Sequence, residues 1–74
     1  MAYRLSPQAL KKIGTKIRKI RKSQDKKAIE VATEAGVEPS YYSKIEHGTA
    51  KPSLQKIHAI CKALGISSKD ILTF

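Results

Sequence analysis

Tryptophan is absent from this 74-residue sequence, and cysteine, methionine and phenylalanine occur once each. Each scarcity excludes something. A lone cysteine, Cys61, cannot close an internal disulfide, so the chain is not a disulfide-stapled secreted module, and a reducing, cytoplasmic setting is expected. No apolar run approaches the ~18 residues that a membrane span needs. The first dozen residues lack the uninterrupted apolar stretch of a secretory signal. No segment alternates with period two, which argues against strands. Residue sets that carry catalysis are missing too: there are no paired carboxylates, no Gly-rich phosphate loop and no His-Glu-x-x-His. His47 and His58 with a single cysteine do not make a metal-ligand set. A chain of this length forms one compact domain, here 1–74, with a thin core and little room for a deep pocket. Neither an enzyme nor a cofactor-binding protein is expected.

Acid is also scarce. Fifteen Lys and Arg against six Asp and Glu give a net charge of +9. Residues 1–27 hold ten of the bases and one acid, Asp25, whereas residues 28–74 hold five of each. The entire excess therefore lies on the first third of the chain. Such a distribution implies a polyanionic partner, either nucleic acid or an anionic membrane surface.

The rest of the chain reads as helices and their punctuation. Ser6-Pro7 has the order of a cap followed by a first-turn proline. Leu10, Ile13, Ile17, Ile20 and Gln24 follow at spacings of three and four, predicting a first helix from Pro7 to Ser23 after a flexible arm of residues 1–6. A second helix fits 28–35, with Val31, Ala32 and Ala35 inward and Gly36 as its left-handed stop. Pro39 opens a third, with Tyr42 and Ile45 as its buried contacts and Gly48 at its end. Ser53 caps a fourth, whose apolar face is Leu54, Ile57, Ile60, Cys61 and Leu64. Leu64-Gly65-Ile66 stops it, and Ser67 with Asp70 opens a short fifth helix through Ile71 and Leu72. The expected class is all-α with five helices. Ile66, Ile71, Leu72 and Phe74 form an apolar C-terminal cluster that either caps the core or joins two copies. The second is the preferred expectation.

Residues 28–47 carry the most specific pattern. Two helices meeting near a right angle across a three- or four-residue turn need glycine at the turn and a small side chain where the backbones approach. Gly36 and Ala32 fill those places. Around them stand Gly14-x-x-Ile17-x-x-Ile20-Arg21, Val31-Ala32-x-x-Ala35-Gly36-Val37, Ser40-Tyr41-Tyr42-Ser43-Lys44-Ile45-Glu46-x-Gly48, Pro52-Ser53-Leu54 and Ala63-Leu64-Gly65-Ile66-Ser67. In this order and spacing the chain resembles the lambda-repressor-like (Cro-type, or xenobiotic-response-element) helix-turn-helix domains from Gly14 to Leu72.

The resemblance implies a compact five-helix DNA-binding domain whose helix-turn-helix is formed by helices 2 and 3. It implies that the start of the third helix, residues 39–46, reads base edges in the major groove through Pro39, Ser40, Ser43 and Lys44. Tyr41 would touch phosphate or sugar, and His47, Thr49 and Lys51 would grip the backbone. Arg21 and Glu46 match a pair that ties helix 1 to the end of helix 3. Three positions depart from the family's habit: Ala28 stands where a phosphate-clamping Gln is usual, Lys27 replaces a Ser/Thr cap, and Glu38 replaces a small cap. Lys26 and Lys27 are expected to supply the missing phosphate contacts. Glu38 suits the helix dipole but repels phosphate, unless it points at a cytosine amino group.

The resulting expectation is a transcriptional regulator, a repressor by preference, that binds double-stranded DNA as a homodimer. The alternative is a DNA-binding antitoxin, with a toxin as its protein partner, or a restriction-modification controller, since small domains of this kind serve in both and these 74 residues include no ligand-sensing domain. A membrane-surface module ranks last, since helix 1 lacks the aromatic anchors such helices carry.

Overall fold

A computed structural model describes residues 6–72, which fold into five helices: α1 (Pro7–Ser23), α2 (Ala28–Ala35), α3 (Pro39–His47), α4 (Leu54–Leu64) and α5 (Lys69–Leu72). Of the expected arm over residues 1–6, residues 1–5 lie outside the described residues, as does Phe74, while Ser6 is the cap of α1. Local chemistry accounts for the boundaries. The Ser6 hydroxyl accepts the Ala9 amide at 3.1 Å, and the Ser53 hydroxyl accepts the Lys56 amide at 3.2 Å. Each satisfies an amide that a helix start leaves without an internal partner. At the start of α2, Lys27 cannot play that part. Instead the Glu30 carboxylate accepts the Lys27 amide at 2.7 Å. At α5 the Asp70 carboxylate accepts the Ser67 amide at 2.9 Å.

Between α2 and α3 the backbone reverses at Gly36, whose φ of +69° is open to glycine and costly to most other residues. The Val37 amide then donates to the Ala32 carbonyl at 2.9 Å, and the Val37 side chain turns into the core. These bonds close the corner on the inside, so α3 leaves at a fixed angle.

The core is built from Ile13, Ile17, Val31, Ala32, Val37, Tyr42, Ile45, Ile57, Ile60, Cys61, Leu64 and Ile71. Helix α1 packs on α3 and α5, and α2 packs on both α3 and α4. Ile71 is fully buried, with Ile66 and Leu72 packed against the same core. These members of the C-terminal cluster therefore cap the core. Leu54 departs from expectation: it continues the apolar stripe of α4 yet is 51% exposed. As the first residue of α4, its side chain leans toward the helix start and beyond the core's edge.

Helices α1 and α3 cross at Gly14, and the approach is very close. A Cβ at Gly14 would fall 2.5 Å from the Ile45 carbonyl oxygen and 2.8 Å from the Glu46 carbonyl carbon. Only a hydrogen fits there, and this contact sets the depth at which α3 sits against α1.

Candidate nucleic-acid interface

Helix α3 has two unlike faces. Tyr42, Ile45 and Glu46 are buried, and Ser40, Ser43, Lys44 and His47 are exposed. The exposed four fall at i, i+3, i+4 and i+7, one helical face. Pro39 is exposed at the helix entrance. The segment after α3 is tied to the same face. The Thr49 amide and hydroxyl both donate to the Lys44 carbonyl, at 2.9 and 3.3 Å. The Tyr41 hydroxyl donates to the Lys51 carbonyl at 3.0 Å, and the Lys56 ammonium stands 5.9 Å from the centre of the Tyr41 ring. His47 Nδ1 donates to the Ser43 carbonyl at 2.7 Å, one turn earlier on the same exposed face. Pro39, Ser40, Tyr41, Ser43, Lys44, His47, Thr49 and Lys51 are thus gathered on one helix and the loop that leaves it. Lys56, which no sequence signal marked, joins them through the Tyr41 ring.

The interface is anchored from behind by Arg21. Its Nε donates to Glu46 at 2.7 Å and its Nη2 to the other carboxylate oxygen at 3.1 Å. Its Nη1 donates to the Lys26 carbonyl at 2.9 Å. One guanidinium therefore fixes the end of α3 and the entrance to α2 together. Both side chains are largely buried, 11% and 5% exposed.

Lys26 and Lys27 diverge. Lys27 is exposed. The Lys26 ammonium instead turns toward α4, donating to the Ala63 carbonyl at 2.9 Å and standing 3.8 Å from Glu34. Reaching a phosphate would require Lys26 to give up both. Gln24, expected to continue the α1 stripe, is exposed at the helix end and donates to the Leu64 carbonyl at 2.8 Å. Sequence spacing gave no sign of either bond, because each partner lies nearly forty residues away.

Comparison with known proteins places this geometry. A profile of the helix-turn-helix family matches residues 17–71. The chain belongs to the lambda-repressor-like helix-turn-helix family. This helix-turn-helix protein is 44% identical over 62 residues to "Control protein C.BamHI" of Bacillus amyloliquefaciens, covering 82% of this chain and 76% of that one. Its fold superposes on the restriction-modification controller protein C.AhdI from Aeromonas hydrophila with a TM-score of 0.84 at 26% identity, over 86% of this chain and 97% of that one. It matches the clp gene regulator ClgR from Corynebacterium glutamicum equally well, with a TM-score of 0.84 at 30% identity, over 90% and 87% of the two chains. It is a DNA-binding regulator of the helix-turn-helix type. Among its described residues no helix is long and apolar enough to cross a membrane.

The anchor of this helix-turn-helix has a pH consequence. Burial alone would raise the Glu46 carboxyl, but the bonds from Arg21 outweigh it and hold the group below its ordinary value. A carboxylate whose folded value is depressed adds stability above its unfolded value, about 4.3 for glutamate, and loses it as pH falls through the folded one. Thermal melts of the wild type and of Glu46→Gln, followed by circular dichroism from pH 7 to 3, are expected to differ most at neutral pH. The gap should close below about pH 4. A gap that stays constant across the range would contradict this role for the carboxylate.

Proposed function

We propose that the chain is a sequence-specific DNA-binding regulator of the restriction-modification controller type, acting as a homodimer on two half-sites in the cytoplasm and carrying out no catalytic step. One observation carries the reading. A short helix held at a fixed angle by the Gly36 corner presents Ser40, Ser43, Lys44 and His47 on a single exposed face, flanked by a loop tied to that face through Tyr41 and Thr49. A helix of this size fits the major groove, where its first turns meet base edges. The likeness to C.BamHI and C.AhdI favours the controller role over that of an antitoxin.

Labour is divided by charge. Within α3 the only bases are Lys44 and His47, whereas α1 carries seven bases and no acid. Pro39, Ser40, Ser43 and Lys44 give specificity, with Lys44 suited to the O6 and N7 acceptors of guanine. Tyr41, His47, Thr49, Lys51 and Lys27 hold phosphates, and the remaining cations of α1 draw the duplex in from a distance.

Selection of bound duplexes from a random pool, followed by affinity measurements across salt, tests the proposal. A defined half-site repeated with twofold symmetry is expected. Lys44→Ala should relax preference at one or two positions. Lys27→Ala and Lys51→Ala should weaken binding to all sequences alike and lower the salt slope by about one each. Salt-independent affinity, or a pool that yields no common half-site, would overturn the reading.

A further inference from the structure

Glu38 occupies the cap position of α3, yet its side chain makes no capping bond to that helix. Its carboxylate instead accepts the hydroxyl of Ser40, two residues on. Both side chains are exposed, at the helix end that the proposed function aims at base edges. Helix geometry does not require this arrangement, since a carboxylate at the cap could accept an amide of the first turn, as Ser6 does in α1 and Ser53 in α4.

The bond has a chemical result. An ionised carboxylate only accepts hydrogen bonds, and a hydroxyl that has spent its proton on that carboxylate has only lone pairs left to offer. Together Glu38 and Ser40 present a surface of acceptors alone. Phosphate oxygens are repelled by it. Along the major groove, guanine shows two acceptors, adenine an acceptor beside its amino donor, and thymine an acceptor and a methyl group. Cytosine alone offers an amino donor with no acceptor next to it.

We propose that the Glu38–Ser40 pair reads a cytosine amino group, with the Glu38 carboxylate as the reading atom set and Ser40 as its positioning residue. This rests on α3 lying in the major groove. It makes Glu38 a determinant that both attracts one base and rejects guanine at the same position, where two facing sets of acceptors would be left unpaired.

The test starts from the half-site that the wild-type chain selects. One position is expected to be a fixed cytosine that Glu38→Ala no longer selects, while preferences elsewhere stay intact. Glu38→Gln, whose amide offers a donor and an acceptor, should move that position toward adenine. Ser40→Ala should weaken the cytosine preference without changing which base is preferred. In the double helix, N4-methylcytosine keeps its pairing hydrogen and turns the methyl into the groove. Placed at the fixed position it should weaken wild-type binding roughly 5- to 150-fold and leave Glu38→Ala nearly unaffected. Glu38 makes no bond that caps α3 and acts on the helix only through its dipole, so melting curves of all three variants should show proteins fully folded at the binding temperature, separating reading from folding. If a half-site is selected but Glu38→Ala selects the same cytosine, or N4-methylation has no effect on the wild type, the assignment to Glu38 is wrong and the groove placement stands. If the wild type selects no half-site, the groove placement fails, and this inference with it.

Discussion

Arg21→Ala is expected to cost about 3–5 kcal/mol of folding stability, the loss typical when one member of a buried ion pair is removed. Domains this small have total stabilities near the low end of the ~5–15 kcal/mol range. Much of the chain should therefore be unfolded at room temperature, as circular dichroism and a denaturant titration would report. The loss arises from what remains. Glu46, whose side chain is 5% exposed with Arg21 in place, loses both bonds from the guanidinium, and the Lys26 carbonyl loses its donor. Above the pair lies the Tyr42 hydroxyl, buried and without a hydrogen-bond partner among the described residues. Burial, then the Glu46 carboxylate, pushes Tyr42 ionisation well above its ordinary value, so the phenol stays neutral and offers no charge in exchange. Arg21→Lys should recover only part of the loss, since an ammonium cannot make the paired, planar contact or reach the third acceptor with it. Replacing both partners, as Arg21→Met with Glu46→Leu, should fold better than either single alanine variant. A double variant no more stable than Arg21→Ala would mean that the pair's charges are not what the fold depends on.

Gly14→Ala is the second large effect, and its sign runs against helix propensity. In an exposed helix interior, alanine gains about 1 kcal/mol over glycine. At Gly14 the new methyl meets backbone, the carbonyls of Ile45 and Glu46, and no side chain can swing aside to admit it. Overpacking costs about 1–3 kcal/mol and sometimes more, and a backbone obstacle places this case at the upper end. A net loss of about 2 kcal/mol is expected after the propensity gain. Thr15→Ala on the same helix is the control: Thr15 is exposed, so alanine there should raise the melting temperature slightly. DNA affinity at a temperature where Gly14→Ala remains folded should fall as well, because parting α1 from α3 tilts the face that carries Ser40 and Lys44. A Gly14→Ala protein as stable as wild type would show that the two backbones are not in contact in solution.

The helices were legible because their signals are local. Ser6-Pro7, Gly36, Pro39, Gly48, Ser53 and Gly65 mark boundaries within a turn of where the structure places them, and the spacing of Ile13, Ile17, Ile57, Ile60 and Leu64 shows which faces go inside. The register that buries Tyr42 and leaves Tyr41 nearer the surface followed from their spacing to Ile45. Leu54 misled because periodicity assigns a residue to a face without saying how far along the helix the core extends. At Lys26 the sequence was silent about the partners for a different reason. A lysine in a basic stretch looks like a solvated cation, and its partner, a carbonyl at the end of α4, is backbone and leaves no mark in the sequence. Glu38 stood out as an unusual residue, but only the fold shows that it bonds Ser40 and leaves α3 uncapped.

The stretch of residues 20–27 has a wider consequence. Within it Arg21 bonds Glu46 of α3 and the carbonyl before α2, while Gln24 and Lys26 bond the last carbonyls of α4. Four helices are thereby fastened to eight consecutive residues. Peeling any one of them away breaks bonds that another helix shares, which couples the opening of α1 to α4. Native-state hydrogen exchange is therefore expected to show the amides of α1 to α4 opening together rather than one helix at a time. Cleavage by a protease at low concentration should then track global stability, falling in step with denaturant-measured stability across variants.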